Sequence, residues 1–174
     1  MDIERLHSST LEKLYGEIEG DIIKQDEHFR IVRLKDNQSK TRTLGVVRFI
    51  DVDSVVLKIA HPKILAGGML GKTLLDALVP FDKELIGSFM VTLPLWAKKE
   101  FKTQNDLSLV IYSKILVQGS AQLPDKFVYA ELIEIIPPGL THEFKNKIKP
   151  INNIDDDLQR LVDAVDLSII NLKK

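Results

Sequence analysis

Three long runs of apolar and β-branched residues, at 88–97, 107–117 and 127–136, constrain this chain more than any other feature. Turn-rich stretches at 102–106 and 118–125 separate them, so they predict an antiparallel meander. Upstream, Phe29, Ile31 and Arg33 alternate with their neighbours until the turn cluster Asp36-Asn37-Gln38-Ser39. Two further short runs, 45–50 and 55–59, flank Asp51-Val52-Asp53-Ser54 and read as strands with a tight connection. The expected class is mainly β within α+β, as an antiparallel β-barrel or strongly curved sheet.

Helical periodicity is confined to the two ends and one central insertion. Ser9 with Glu12 has capping-box spacing, and Leu11, Leu14, Tyr15 and Ile18 follow on one helical face until Gly16 and Gly20 weaken it. In the middle, residues 66–73 form a glycine-rich loop leading into about two helical turns that Pro80 stops. A further short helix is expected over 140–148. At the far end Leu158, Val162, Val165, Ile169 and Leu172 keep one stripe in register. Asn152 or Asn153 is the expected cap of that helix, with Asp155, Asp156 and Asp157 at its positive end and Lys173 and Lys174 at its negative end. The expected organisation is thus a leading helix and linker over 1–23, a β-barrel over 24–150 with an insertion at 62–85, and a closing helix over 151–174.

Composition removes several function classes. The 24 basic residues against 25 acidic ones leave a net charge of -1, which supplies no global field for nucleic acid or anionic lipid. With no cysteine, disulfides, iron–sulfur clusters, cysteine nucleophiles and thiolate zinc sites are all excluded. His7, His28, His61 and His142 stand singly, without a spacing that puts two imidazoles on one helix face, so no metal or other cofactor is expected. Residues 1–14 lack the apolar centre of a signal peptide, and no apolar run approaches a membrane span, which makes the cytoplasm the expected location.

Four local patterns invite a chemical reading. Residues 66–73 follow AxxxxGKT, a relaxed phosphate-loop pattern in which Lys72 would meet phosphates and Thr73 a magnesium ion. Ala66 replaces the usual glycine there and the surroundings have antiparallel texture, so a glycine-rich turn into a helix is preferred. Asp51 and Asp53 are two carboxylates in one connection, which suits acid–base chemistry, although turn capping explains them as well. Ser8, Ser9, Ser54 and Ser113 lie outside any nucleophile-elbow motif. Arg30, Arg33, Arg42 and Arg48 would grip a phosphate or carboxylate if neighbouring strands paired them; ion-paired or solvated arginines are the simpler expectation.

The order of elements and several residues resemble the PilZ domain, a small bacterial β-barrel that is a receptor for cyclic di-GMP. His28-Phe29-Arg30-Ile31 looks like that family's RxxxR entry motif, and 51–59 looks like its second motif, in which Asp, Ser and Gly precede an apolar strand. Residues 86–95, 110–117 and 127–138 are similar to its later strands. The resemblance implies ligand contacts from Arg30, Arg33 and Asp51. Yet Asp26 stands in place of the first arginine, Asp53 in place of Ser and Val56 in place of Gly. Two added carboxylates repel a dianion and a valine side chain crowds it, so weak or absent cyclic di-GMP binding is expected. What the resemblance then implies is a non-enzymatic adaptor acting by protein contact in motility, pilus or secretion control. Its contact surface would be the stripe Leu158, Val162, Val165 and Ile169, which would also serve a homo-oligomer.

The principal rival is a hot-dog-fold acyl-CoA thioesterase or acyl-binding protein. Ala66-Gly67-Gly68 opening a helix that carries Asp76 resembles that fold, in which glycine amides polarise a thioester carbonyl. A phosphate-loop NTPase is the third reading.

Overall fold

Near-continuous apolar runs give these strands two faces to bury, and the computed structural model, which describes residues 7–120 and 125–170, shows both faces covered. Helix α1 (His7–Tyr15) leads into β1 (Ile18–Gln25), β2 (Phe29–Asp36) and β3 (Thr41–Phe49). A short 3-10 turn at Val55–Leu57 and the helices α2 (Ala60–Leu65) and α3 (Leu70–Asp76) follow. Then come β4 (Phe81–Thr92), α4 (Leu95–Phe101), β5 (Leu107–Gln118) and β6 (Lys126–Ile135). After a 3-10 stretch at Thr141–Lys147 the described chain closes with α5 (Asp156–Asp163) and β7 (Ser168–Ile169).

All seven strands join one antiparallel sheet in the order β1-β2-β3-β6-β5-β4-β7. The expected meander β4-β5-β6 is present, and the mainly β, α+β class holds. The sheet is open: β1 and β7 lie at opposite edges, so it does not close into a barrel. One face carries Phe89, Val91, Val110, Tyr112 and Ile133 against α4 and α5. The other face is covered in two patches. Leu11 of α1 and Phe144 of the 3-10 stretch pack on Val32, Leu34 and Ile111, while Ile64 and Leu74 of α2 and α3 pack on Val47, Ile115 and Val117. The two patches do not merge, and the gap between them is the site described below.

Several sequence expectations change for physical reasons. The first helix ends at Gly16, in the left-handed region at φ 80°, and Ile18 begins β1 instead of extending the helix. The boundary expected at 23/24 therefore falls within a strand. Residues 55–59 are not a strand: Leu57, Ala60 and Ile64, spaced three and four apart, are fully buried, while Val55 and Ile59 are 65% and 66% exposed. The helical period overrides β-branching there. The run at 88–97 is split, because Pro94 opens α4 after β4 has ended, and β4 itself starts earlier, at Phe81. The insertion expected at 62–85 therefore includes the start of a core strand. The closing helix is capped by Asp155, whose side chain accepts from the Leu158 amide at 2.8 Å, and stops at Asp163. Asp166 then turns left-handed at φ 56°, and Ile169 sits in β7. Leu172, Lys173 and Lys174 lie outside the described residues.

Candidate functional site

The sheet's inner rows bring unlike residues together. On the face covered by α1, α2 and α3, Val32 pairs across to Gly45 and Leu34 to Thr43, and Gly45 in turn pairs with Glu134 of β6. Gly45 leaves the middle of this floor without a side chain; a Cβ there would meet Val32 Cγ1 at 2.9 Å. His7 and Ser8 close one side, and Met69, Leu70 and Gly71, at the start of α3, close the other. The result is a cavity of about 80 Å³ whose walls include Arg30, Thr43, Lys83 and Glu134 among mainly aliphatic side chains. That volume is about half that of a 150 Å³ cavity that holds benzene, so it encloses a group of roughly three or four non-hydrogen atoms, with the rest of a longer molecule lying in its mouth.

The polar groups are unusually deep. Glu134 is 4% exposed and accepts from Lys83 Nζ at 2.6 Å, while His7 Nδ1 lies 3.5 Å from its other oxygen. Burial opposes ionisation of Glu134, but the cationic surroundings, meaning His7 when protonated together with Lys83 and Lys147, outweigh it and hold the carboxyl at about 2. Burial also pushes His7 down to about 3 against the attraction of Glu134, so at neutral pH the imidazole is neutral and the lysines hold the carboxylate. Lys147 is likewise pushed down by burial, and its ammonium has no hydrogen-bond partner.

Arg30 is 2% exposed and turns toward the loop between α2 and α3, donating from Nη1 to the carbonyls of Ile64 at 2.8 Å and Gly68 at 2.9 Å. Its Nε has no partner. Carbonyls satisfy hydrogen bonds without neutralising charge. The cavity wall thus holds two cations, Arg30 and Lys83, and one carboxylate, Glu134, which Lys83 already pairs, while Lys147 acts on Glu134 from outside the lining.

The sequence-predicted site residues do not converge. Arg30 and Arg33 are three apart on one strand, so they point to opposite faces. Arg33 bonds Asp21 and Glu100, each at 2.9 Å. Asp51 sits exposed in the turn after β3, with Asp53 equally exposed. Arg42 pairs with Asp36 and stacks 3.8 Å over the Tyr15 ring, and Arg48 pairs with Glu131 and Asp157. Lys72 is exposed, Thr73 is packed beside Gly68, and the sheet around the 66–73 loop is antiparallel throughout, so the parallel βαβ context of a phosphate loop is missing. The loop is a structural turn. Asp76 is exposed at the end of the seven-residue α3, which is no central helix of a hot-dog fold. Leu158, Val162 and Val165 are all at most 2% exposed and Ile169 is half-buried in β7, so the supposed contact stripe is core.

His7, Thr43, Lys83 and Glu134, which sequence reasoning did not assemble, are the residues that the fold brings together. Their one visible signal was Glu134, a charge inside the apolar run 132–136; Lys83 lies in the charged triplet Asp82-Lys83-Glu84 and gave none. Among the described residues no group of three or more His, Asp or Glu side chains could hold a metal ion, and no helix is long and apolar enough to cross a membrane. No protein-family model matches the chain, and no curated protein matches it.

Proposed function

We propose that this chain is a small-molecule-binding protein whose cavity takes a compact organic anion, a carboxylate with an apolar body. The observation that carries this reading is the excess of buried cationic groups around the cavity, with Arg30 Nε lacking a partner. An anionic group that bonds Arg30 would supply the missing charge and acceptor together. The aliphatic walls from Val32, Leu34, Leu132 and Met69 suit an apolar remainder. The adaptor reading drawn from the PilZ resemblance loses the surface it was built on, because its stripe lies in the core. The cyclic di-GMP contacts that the resemblance implied, Arg30, Arg33 and Asp51, do not converge, since the two arginines face opposite sides of the sheet and Asp51 is exposed in the turn after β3.

Calorimetric titration with acetate and butyrate, beside their uncharged amides and inorganic phosphate, tests the proposal. Saturable carboxylate binding that weakens at least about tenfold in Arg30→Gln, with the amides silent, is expected, since a charge-assisted hydrogen bond is worth about 1.5–3 kcal/mol. Carboxylate binding that is equal in Arg30→Gln, or absent altogether, overturns it.

A further inference from the structure

A hydroxyl, an imidazole and a carboxylate stand in line on the wall of this cavity. The Thr43 hydroxyl lies 2.6 Å from His7 Nε2, and His7 Nδ1 lies 3.5 Å from Glu134 Oε2. Glu134 is fixed from its other side by Lys83. Three separate elements supply these groups: α1 gives His7, β3 gives Thr43 and β6 gives Glu134.

The proton positions decide what the line can do. The Thr43 hydroxyl has one hydrogen and two acceptors at 2.6 Å, the imidazole Nε2 and the Arg42 carbonyl. If it donates to the carbonyl, His7 carries its proton on Nε2 and turns a bare Nδ1 toward a carboxylate. If it donates to Nε2, His7 carries its proton on Nδ1, facing Glu134. The second arrangement replaces a lone pair against a negative charge by a donor against it, and it gives the buried Nδ1, which has no hydrogen-bond partner, a carboxylate to approach. It is also the arrangement in which a neutral imidazole draws the proton from a hydroxyl, and because burial leaves His7 a weak base the step it assists is a slow one.

The geometry points to a second property of the site: Thr43 is a nucleophile, His7 its base and Glu134 the group that orients His7, in acyl transfer from a small ester that carries a carboxylate. This inference rests on the anion-binding reading for its substrate class. Thr43 Oγ1 bonds to the ester carbonyl carbon as its proton passes to His7 Nε2. The bond from that carbon to the leaving alcohol oxygen then breaks, and His7 returns the proton to that oxygen. Water next attacks the acyl-Thr43 ester, giving a proton to His7; Thr43 recovers it as the carboxylic acid departs. Ester and water become acid and alcohol, with no oxidant or co-reactant. Lys83, already at Glu134, places positive charge at the reacting end, and Arg30 stands at the other end, four residue pairs along the β2–β3 ladder.

Monomethyl succinate is the test substrate, with dimethyl succinate as the neutral control, and methanol release is followed by proton NMR. Wild type is expected to hydrolyse the monoester, with Thr43→Val and His7→Gln at least about a hundredfold slower and Thr43→Ser still active. Arg30→Gln should raise KM for the monoester and leave KM for the diester unchanged. Covalent capture with phenylmethanesulfonyl fluoride, located by peptide mass, should label Thr43. Turnover that survives Thr43→Val, or label on Ser8 or a lysine instead, overturns the assignment. Butyrate binding and methanol release measured together on wild type separate the two levels: a wild type that binds butyrate and releases no methanol refutes the acyl-transfer step alone, whereas one that does neither refutes the anion site too.

Discussion

Acid should weaken this fold well above the pH at which carboxylates begin to protonate, and His7 is the main reason. The imidazole is 3% exposed and is pushed by burial from 6.5 to about 3. Between those values the unfolded chain binds a proton that the folded chain refuses. Stability is therefore fully present above about pH 6.5 and drains away as pH falls toward 3. From pH 7 to pH 5 the loss is about 2 kcal/mol, at 1.36 kcal/mol for each pH unit below the unfolded pKa. For a chain of this length that is a drop in Tm of about 4–8 °C. His61, lowered by burial, adds to the same trend, and Glu131, raised by burial, opposes it. Thermal unfolding by circular dichroism at pH 7, 6 and 5 should show the fall in wild type and a much flatter line in His7→Gln, with the residue in His61→Gln. Because His7→Gln could itself disturb the fold, the ring's own titration in wild type is the second reading. An NMR midpoint for His7 near 6.5, or an unchanged slope in His7→Gln, would refute the reasoning.

Three further outcomes follow from contacts already described. Lys83→Met strands Glu134 and should cost about 3–5 kcal/mol in urea denaturation, whereas Lys83→Met with Glu134→Leu should recover most of it; equal losses would show that the pair is not coupled. Leu158→Asp should leave the protein unfolded rather than folded and merely non-associating, and Leu158→Ala should cost about 2–5 kcal/mol; a folded Leu158→Asp by circular dichroism would return the stripe to the surface. Gly87→Ala should lower Tm by several degrees, because its Cβ would press on Ile151 and come within 2.8 Å of the Lys149 carbonyl. A neutral Gly87→Ala would show that residues 149–151 do not lie against β4.

The meander was legible because its near-continuous apolar runs match strands buried on both faces, and β2 because Phe29 and Ile31 alternate with their neighbours. Strand β1 was not: as an edge strand it buries only Ile18 fully, is interrupted by a bulge between Ile22 and Lys24, and so carries no clear period. Residues 55–59 misled because β-branching and the helical spacing of Leu57, Ala60 and Ile64 make opposite statements, and packing decided for the second. The cavity was the least visible. Its groups come from positions 7, 30, 43, 83 and 134, and only strand order and register set them on one wall. Arg30 and Arg33 show the limit most directly: both were candidates by type, and the parity of a strand separates them.

The outer edge of β4 has a history that the finished fold conceals. From Ser88 to Thr92 it is sealed by Lys149 and Ile151, which exchange backbone hydrogen bonds with Ser88, and by β7, with Ile170 donating to the Met90 carbonyl. Those residues are all made long after β4. While the chain is growing on a ribosome, a strand carrying Phe89 and Val91 therefore waits with its hydrogen-bonding groups bare, able to pair with the same strand of a neighbouring nascent chain. Translation beyond residue 170, more than any step of folding before it, is what removes that hazard.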